Sequence, residues 1–384
     1  MWSERAVQHI GVVGDAAGWR IGSVASAPRD HRPHPNRRFH VPMLSGDHPS
    51  VSVVVSVLNE ERHLPELFEQ LAAQTYTGTV DVLVAEGGST DQTRRVIEAW
   101  AAKGRLRIAV IDNPRRVPAA GFNLAIAAST ADVIILLGGH MHLPNHYIAG
   151  VVHALVSSGA ECAGGVIATE GSSATGCHIA AAMSSPFGVG HARFRIGIAA
   201  AGPVDTVAFA GYPRATLVAL GGFDEDLIGA EDDELNFRIA RAGGVVWLDP
   251  AVSSTYYCRD SYPALFRQYF AYGRGKARVL RKHRTLPSLR ALTPTVFVLA
   301  LACAIVSIPL LGWLPLVALG GAYVVGGAVF SAKAPVATVT SIPAVMAAFL
   351  TMHLSYGLGF LAGRPPLGGV LRAFTLAGRR HPKP

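Results

Sequence analysis

From Val51 onward the chain alternates short apolar runs with longer stretches whose apolar positions recur at helical spacing. The segments in order are VSVVVSVLN, HLPELFEQLAAQ, VDVLVAE, TDQTRRVIEAWAAKG, LRIAVID, AAGFNLAIAAS and DVIILLGG. This alternation predicts βαβ units around a mostly parallel sheet, an α/β fold. Ligands of such sheets collect at the carboxyl ends of the strands. The residues that stop the runs are therefore the first candidates for chemistry: Asn59-Glu60-Glu61, Glu86-Gly87-Gly88, Asp112-Asn113 and Gly138-Gly139-His140. A second region, Ala160 to Cys258, is richer in Gly and Ala. It holds FAGYPRATLVALGGFDEDL, the acidic run Glu231-Asp232-Asp233-Glu234, a helical LNFRIARAGG and a strand-like VVWLD.

The pattern changes on both sides of this domain. Residues 1–49 carry Arg, His, Pro and Ser without sustained periodicity, as in Arg29 to His40, and read as a mostly disordered tail. From Pro294 to Gly363 the only Lys, Arg, Asp or Glu is Lys333. This stretch divides into Thr295 to Leu311, Leu314 to Phe330 and Val336 to Leu361, with Gly312, Pro315 and Pro335 near the breaks. Each segment approaches or reaches the length that spans a bilayer, and helices apolar on all sides would otherwise need a much larger core. The organisation predicted is a tail (1–49), an α/β domain (50–258), an amphipathic interface pair of helices (259–292), transmembrane segments (293–363) and a basic cytosolic tail (364–384).

Charge supports this division. The net charge of +8 comes mostly from cations in the N-terminal tail, between Arg267 and Arg290, and after Arg364. Flanks of an apolar region are where anionic lipid headgroups attract basic side chains, so membrane lipids rather than nucleic acid are the expected partner. Basic residues at both ends place both ends in the cytosol and favour an even number of crossings, which three visible segments do not satisfy. Cys162, Cys177, Cys258 and Cys303 show neither CxxC nor Cys/His spacing, so neither a disulfide framework nor a zinc site is indicated.

VSVVVSVLNEE followed by VAEGGSTDQT, then NPRRVPAAGFNLAIAAS, then GGFDEDLIGAEDDELNFRIARAGG resemble the family 2 glycosyltransferases of the GT-A (Rossmann-like) fold, over about Ser50 to Pro250. With the basic, aromatic YYCRDSYPALFRQYFAYGRGKARVLRKH and the apolar segments behind it, the chain is similar to the succinoglycan-biosynthesis subgroup of that family. The resemblance implies a nucleotide-sugar donor, a lipid-linked or cell-envelope glycan acceptor, and inverting transfer catalysed at the cytosolic face of the membrane.

Such transfer needs a hold on the nucleotide base, a counter-charge for the leaving diphosphate and a general base for the acceptor hydroxyl. The resemblance puts Glu86 at the base, where its alternative is a turn whose Ser89, Thr90 and Asp91 cap the next helix. Asn59 and Glu60 fall where relatives place a carboxylate close to the nucleotide, or else form a solvated helix start. Arg115, beside Arg116, is placed to reach the diphosphate or to solvate a loop, and Asn123 to face the nucleotide or to bond backbone. Most relatives carry Asp-x-Asp after the fourth run. Here Gly138-Gly139-His140 stands there, so the first carboxylate is missing and His140 is left as a tentative ligand for Mn2+ or Mg2+, or as a donor to phosphate. Glu231 and Asp232 match the Glu-Asp pair that supplies the general base, with Asp232 the base; the alternative is a solvated helix N-terminus in which all four carboxylates are alike. Gln268, Tyr272, Arg274 and Lys276 are candidates for the acceptor or the headgroup interface. A catalytically silent nucleotide-sugar-binding membrane scaffold is the competing reading, motivated by Gly138.

Overall fold

The computed structural model describes residues 12–15, 18–21, 44, 48–285, 289–334 and 341–364. In chain order its elements are β1 (Val12–Asp15), β2 (Gly18–Ile21), β3 (Val51–Val57), α1 (Leu64–Ala72), β4 (Val80–Glu86), α2 (Thr93–Ala102), β5 (Arg107–Asp112), α3 (Pro118–Ala128), β6 (Val133–Leu137), β7 (Met141–His142), α4 (Tyr147–Ser158) and β8 (Cys162–Glu170). There follow α5 (Ala174–Met183), α6 (Pro186–Val189), α7 (Arg193–Ile196), β9 (Gly202–Pro203), β10 (Gly211–Pro213), α8 (Arg214–Leu220), α9 (Glu231–Arg241) and β11 (Val246–Tyr257). The C-terminal helices are α10 (Tyr262–His283), α11 (Thr293–Val306), α12 (Ile308–Leu311), α13 (Leu314–Ala332) and α14 (Ile342–Ala362). These elements form two compact units: residues 1–167, 197–226 and 231–255 make the first, and 168–196, 227–230 and 256–384 the second.

The first unit is built on the sheet, whose order is β1-β2-β5-β4-β3-β6-β10-β8-β11-β7, with β9 beside β11. Strands β5, β4, β3 and β6 run parallel, as the βαβ alternation predicts, and β10 enters antiparallel between β6 and β8. VSVVVSV is almost wholly apolar because β3 lies in the middle of the sheet and buries both faces. Of its two serines, Ser52 is buried and shares a 2.7 Å hydrogen bond with Ser129. Helix α1 presents Leu64, Leu67, Phe68 and Leu71 to this core at i, i+3, i+4 and i+7. The N-terminal tail is not without regular structure: β1 and β2 pair antiparallel and β2 lies parallel to β5, covering backbone groups that an edge strand would leave open.

The second unit departs from the sequence reading in three ways. It draws in residues 168–196 and 227–230, which fall inside the expected 50–258 domain. The interface stretch is one 22-residue helix, α10, followed by a short 3-10 turn at Leu289–Leu292, rather than a helix pair. The first apolar segment is broken into α11 and α12 at Ser307, because Pro309 supplies no N–H to continue the ladder. Among the described residues, α13 and α14 are long and apolar enough to cross a bilayer. Helix α14 packs closely on α10: a β-carbon at Gly273 would collide with the Tyr356 carbonyl and one at Gly359 with the Phe270 carbonyl, so small residues set this contact. Helix α13 leaves Val317 64% and Val325 65% exposed, and Leu310 just before it is 88% exposed. The break near Pro335 and the basic tail after Arg364 lie outside the described residues.

Candidate active site

Parallel register brings four strand ends to one edge of the first unit, since Val57 pairs with Glu86, Glu86 with Asp112, and Val55 with Leu137. The turns after β3 and β4 are tied together there. Asn59, at φ 58° in the left-handed region, donates its N–H to Ser89 Oγ at 2.9 Å and accepts from Thr90 N–H at 2.8 Å. Asp91 accepts the Thr93 N–H at the start of α2, as a capping carboxylate would. Glu86 is 2% exposed, and both its oxygens are engaged: Oε1 accepts from Ser89 N–H at 2.6 Å and Oε2 from Arg94 Nη1 at 3.1 Å. Arg94 also donates to Asp112 Oδ1 at 2.8 Å, so it bridges the ends of β4 and β5. Sequence reasoning missed Arg94, although its place on the first turn of α2, eight residues after Glu86, was the available signal.

Past β6 the chain turns at Gly138 and Gly139, and each glycine has a neighbour that accounts for it. A β-carbon at Gly138 would lie 3.2 Å from the Phe209 ring, and one at Gly139 would lie 3.1 Å from the Glu60 side chain. The place of the missing first carboxylate is thus crowded by Phe209, itself held by a hydrogen bond from Tyr147 Oη to its carbonyl. His140 Nδ1 lies 3.3 Å from Glu60 Oε1, and His63 Nδ1 lies 2.9 Å from Glu60 Oε2. Burial pushes the Glu60 carboxyl up, but the two imidazoles outweigh it and hold Glu60 below the ordinary carboxylate range. His140 therefore has the carboxylate neighbour that its sequence context did not show. Among the described residues, however, no group of three or more His, Cys, Asp or Glu side chains is arranged to hold a metal ion. A site of this donor set does not fit Mn2+ or Mg2+ as an Asp-x-Asp does.

Helix α9 separates its four acidic residues by environment. Glu234 is fully buried and paired with Arg238 through contacts of 3.0, 2.9 and 2.8 Å, and Arg238 also donates to the carbonyls of Leu220 and Gly222. This pair locks α9 onto the turn that precedes it. Its i,i+4 spacing was visible in ELNFR. Asp232 is different. Removal from water, then the negative charges of Glu231 and Asp233, push its carboxyl up from 3.8 to about 8. Tyr212 and Cys162, both buried, lie close enough to feel its charge. A solvated helix N-terminus would leave the four carboxylates equivalent, and they are not.

The loop before α9 claims two further candidates. Asn123 Oδ1 accepts from Phe223 N–H at 2.7 Å, and its Nδ2 donates to Phe223 O and to Glu225 Oε1, both at 2.9 Å. Arg115 donates to Glu225 Oε2 at 2.6 Å and to Asp226 Oδ1 at 3.0 Å. Both side chains thus fasten the GGFDED loop. Gly222, at φ 73°, leaves room for the Asn123 carbonyl that any β-carbon would strike.

In the second unit, Gln268, Tyr272, Arg274 and Lys276 lie along α10. Gln268 Nε2 donates to Tyr256 Oη at 2.8 Å and Tyr272 Oη at 3.1 Å. Arg274 is exposed, while Lys276 and Tyr272 are half-buried.

Residues 52–215 match the family model described as Glycosyl transferase family 2. The chain is 31% identical over 316 residues to the succinoglycan biosynthesis protein ExoA of Rhizobium meliloti (strain 1021), covering 80% of this chain and 93% of that protein. It is 24% identical over 241 residues to a dolichyl N-acetyl-alpha-D-glucosaminyl phosphate 3-beta-D-2,3-diacetamido-2,3-dideoxy-beta-D-glucuronosyltransferase of Methanococcus voltae, covering 60% of this chain and 74% of that protein. Among solved structures, the mannosyltransferase PcManGT from Pyrobaculum calidifontis, in complex with GDP-Man and Mn2+, matches with a TM-score of 0.56 at 19% identity, over 85% of this chain and 90% of that one. That last likeness is one of fold.

Proposed function

The chain belongs to glycosyl transferase family 2, and from that premise we propose that it is an inverting enzyme moving one sugar from a nucleotide-sugar to a lipid-linked or cell-envelope glycan acceptor at a membrane. One observation carries the proposal: loss of hydration and the negative charges of Glu231 and Asp233 push the Asp232 carboxyl up to about 8. A base is most effective when its pKa lies near the working pH. Asp232 accepts the proton of the acceptor hydroxyl as the acceptor oxygen bonds to the anomeric carbon. The bond from that carbon to the diphosphate breaks, and the electron pair leaves with the nucleoside diphosphate. Glu231 acts as a positioning residue that raises the affinity of Asp232 for the proton.

On the strand-end edge, Glu86 receives the nucleotide base and Arg94 holds its carboxylate in place. Glu60 orients His140, whose imidazole donates to a phosphate oxygen of the diphosphate. The exposed apolar surface of α13 supports membrane attachment, and the basic residues of α10 support a cytosolic catalytic domain. The test is nucleoside diphosphate release by the detergent-solubilised chain, given a panel of nucleotide-sugars with and without Mn2+ or Mg2+. The second reading, a catalytically silent nucleotide-sugar-binding scaffold, is favoured by the crowding of Gly138 by Phe209. Donor binding without release from any donor of the panel selects that reading.

A further inference from the structure

In the second unit a cation with no ion pair among the described residues shares a tyrosine neighbour with an amide whose oxygen is unsatisfied. Arg195, on α7, donates from Nη1 to Thr169 Oγ1 at 3.0 Å, and its guanidinium lies 5.4 Å from the centre of the Tyr256 ring. Among the described residues it makes no ion pair. Asp260, a carboxylate of the same unit, accepts instead from Ser172 and Ser173 at 2.6 and 3.0 Å. Tyr256, 5% exposed, also connects Arg195 to Gln268, whose Nε2 donates to it and to Tyr272. Gln268 Oε1 is buried and has no hydrogen-bond partner among the described residues. A half-buried guanidinium lacking a counter-ion and a buried carbonyl lacking a donor are each costly unless a ligand satisfies them.

We propose that Arg195 and Gln268 form a binding site for a phosphate ester joined to a sugar, the guanidinium taking the phosphate and the Gln268 carbonyl a sugar hydroxyl. The inference rests on the transferase reading, because it assigns this site to the headgroup of a lipid-linked saccharide acceptor. Guanidinium suits phosphate through paired N–H donors, and an amide carbonyl that rejects anions but accepts hydroxyl donors selects the sugar beside it. Exposed Arg274 and half-buried Lys276, on the α10 helix that carries Gln268, add positive charge for an anionic carrier.

The experiment is calorimetry on the full chain in non-ionic detergent, with excess nucleoside diphosphate present to fill the donor site. Farnesyl phosphoryl glucose, glucose 1-phosphate and inorganic phosphate are titrated separately. The lipid-linked sugar phosphate should bind most tightly. Arg195→Gln should weaken it on the order of ten- to a hundredfold, with Arg195→Lys recovering part of the loss. Gln268→Leu should reduce the preference for the sugar phosphates over inorganic phosphate, which keeps the proposal testable should Arg195→Gln fail to fold. Binding by folded Arg195→Gln within twofold of wild type overturns the site, as does Gln268→Leu with unchanged preference. Equal binding of inorganic phosphate and the lipid-linked probe overturns its assignment to an acceptor. No nucleotide-sugar is consumed in this measurement, so its failure is separate from failure of the transferase reading.

Discussion

Replacing Asp232 by Asn should make the protein more stable as well as inactive, and the size of the gain should depend on pH. The carboxyl moves from 3.8 to about 8 on folding. That rise corresponds to roughly 5–6 kcal/mol between the protonation states. The folded state therefore holds the proton more tightly, and the wild type loses stability as pH rises from about 4 towards about 8. At pH 7 about 4 kcal/mol of this is the upper limit. The side chain keeps partial contact with solvent, which reduces the figure to about 1–2 kcal/mol. Asn keeps the shape and carries no charge, so the variant escapes the penalty. For a unit of this size the gain raises Tm by about 2–8 °C. Thermal unfolding followed by tryptophan fluorescence at pH 5, 7 and 8.5 reads the effect, with the gap between variant and wild type widening at each step. A gap that stays constant with pH, or a variant less stable than wild type at pH 8.5, would refute the desolvation argument for this residue.

Other substitutions divide the acidic run and test the membrane reading. Glu234→Gln should destabilise by about 3–5 kcal/mol by leaving Arg238 buried and uncompensated, whereas Glu231→Gln should leave Tm nearly unchanged and lower the pKa of Asp232; equal Tm losses in denaturation would reject the division. Gly138→Asp should cost about 1–3 kcal/mol through the clash with Phe209, and adding Phe209→Ala should recover stability and increase stimulation by Mn2+; unchanged metal response in the double variant counts against the crowding argument. The full chain should stay in the membrane pellet through a high-salt wash, and truncation after Leu292 should yield an aggregating fragment because it strips α14 from α10. Full-length protein in the high-speed supernatant without detergent, or a monodisperse fragment, contradicts this account.

Much of the first unit was legible because its physics is local. The apolar runs from Val51 to Gly139 carry their own strand and helix signals, and their carboxyl ends locate Asn59, Glu60, Glu86 and Gly138 on one edge. Asp232 was distinguishable from its neighbours only through resemblance, since the loss of hydration that perturbs it is a tertiary property. Asn123 shows the same limit: its partners Phe223 and Glu225 lie about a hundred residues away in the chain. The pairing of Glu234 with Arg238 and the break at Pro309 left signals in spacing and proline chemistry that the sequence reading did not use. The joining of residues 168–196 to the C-terminal helices was not, because a Gly- and Ala-rich stretch gives no periodicity that names its partner.

The central claim, that Asp232 is the general base of glycosyl transfer, is tested most directly by transfer rate and nucleotide-sugar affinity measured on the same preparations of wild type and Asp232→Asn. The account predicts transfer reduced on the order of a hundred- to ten-thousandfold, with donor affinity nearly unchanged. Transfer by Asp232→Asn at close to the wild-type rate would contradict it.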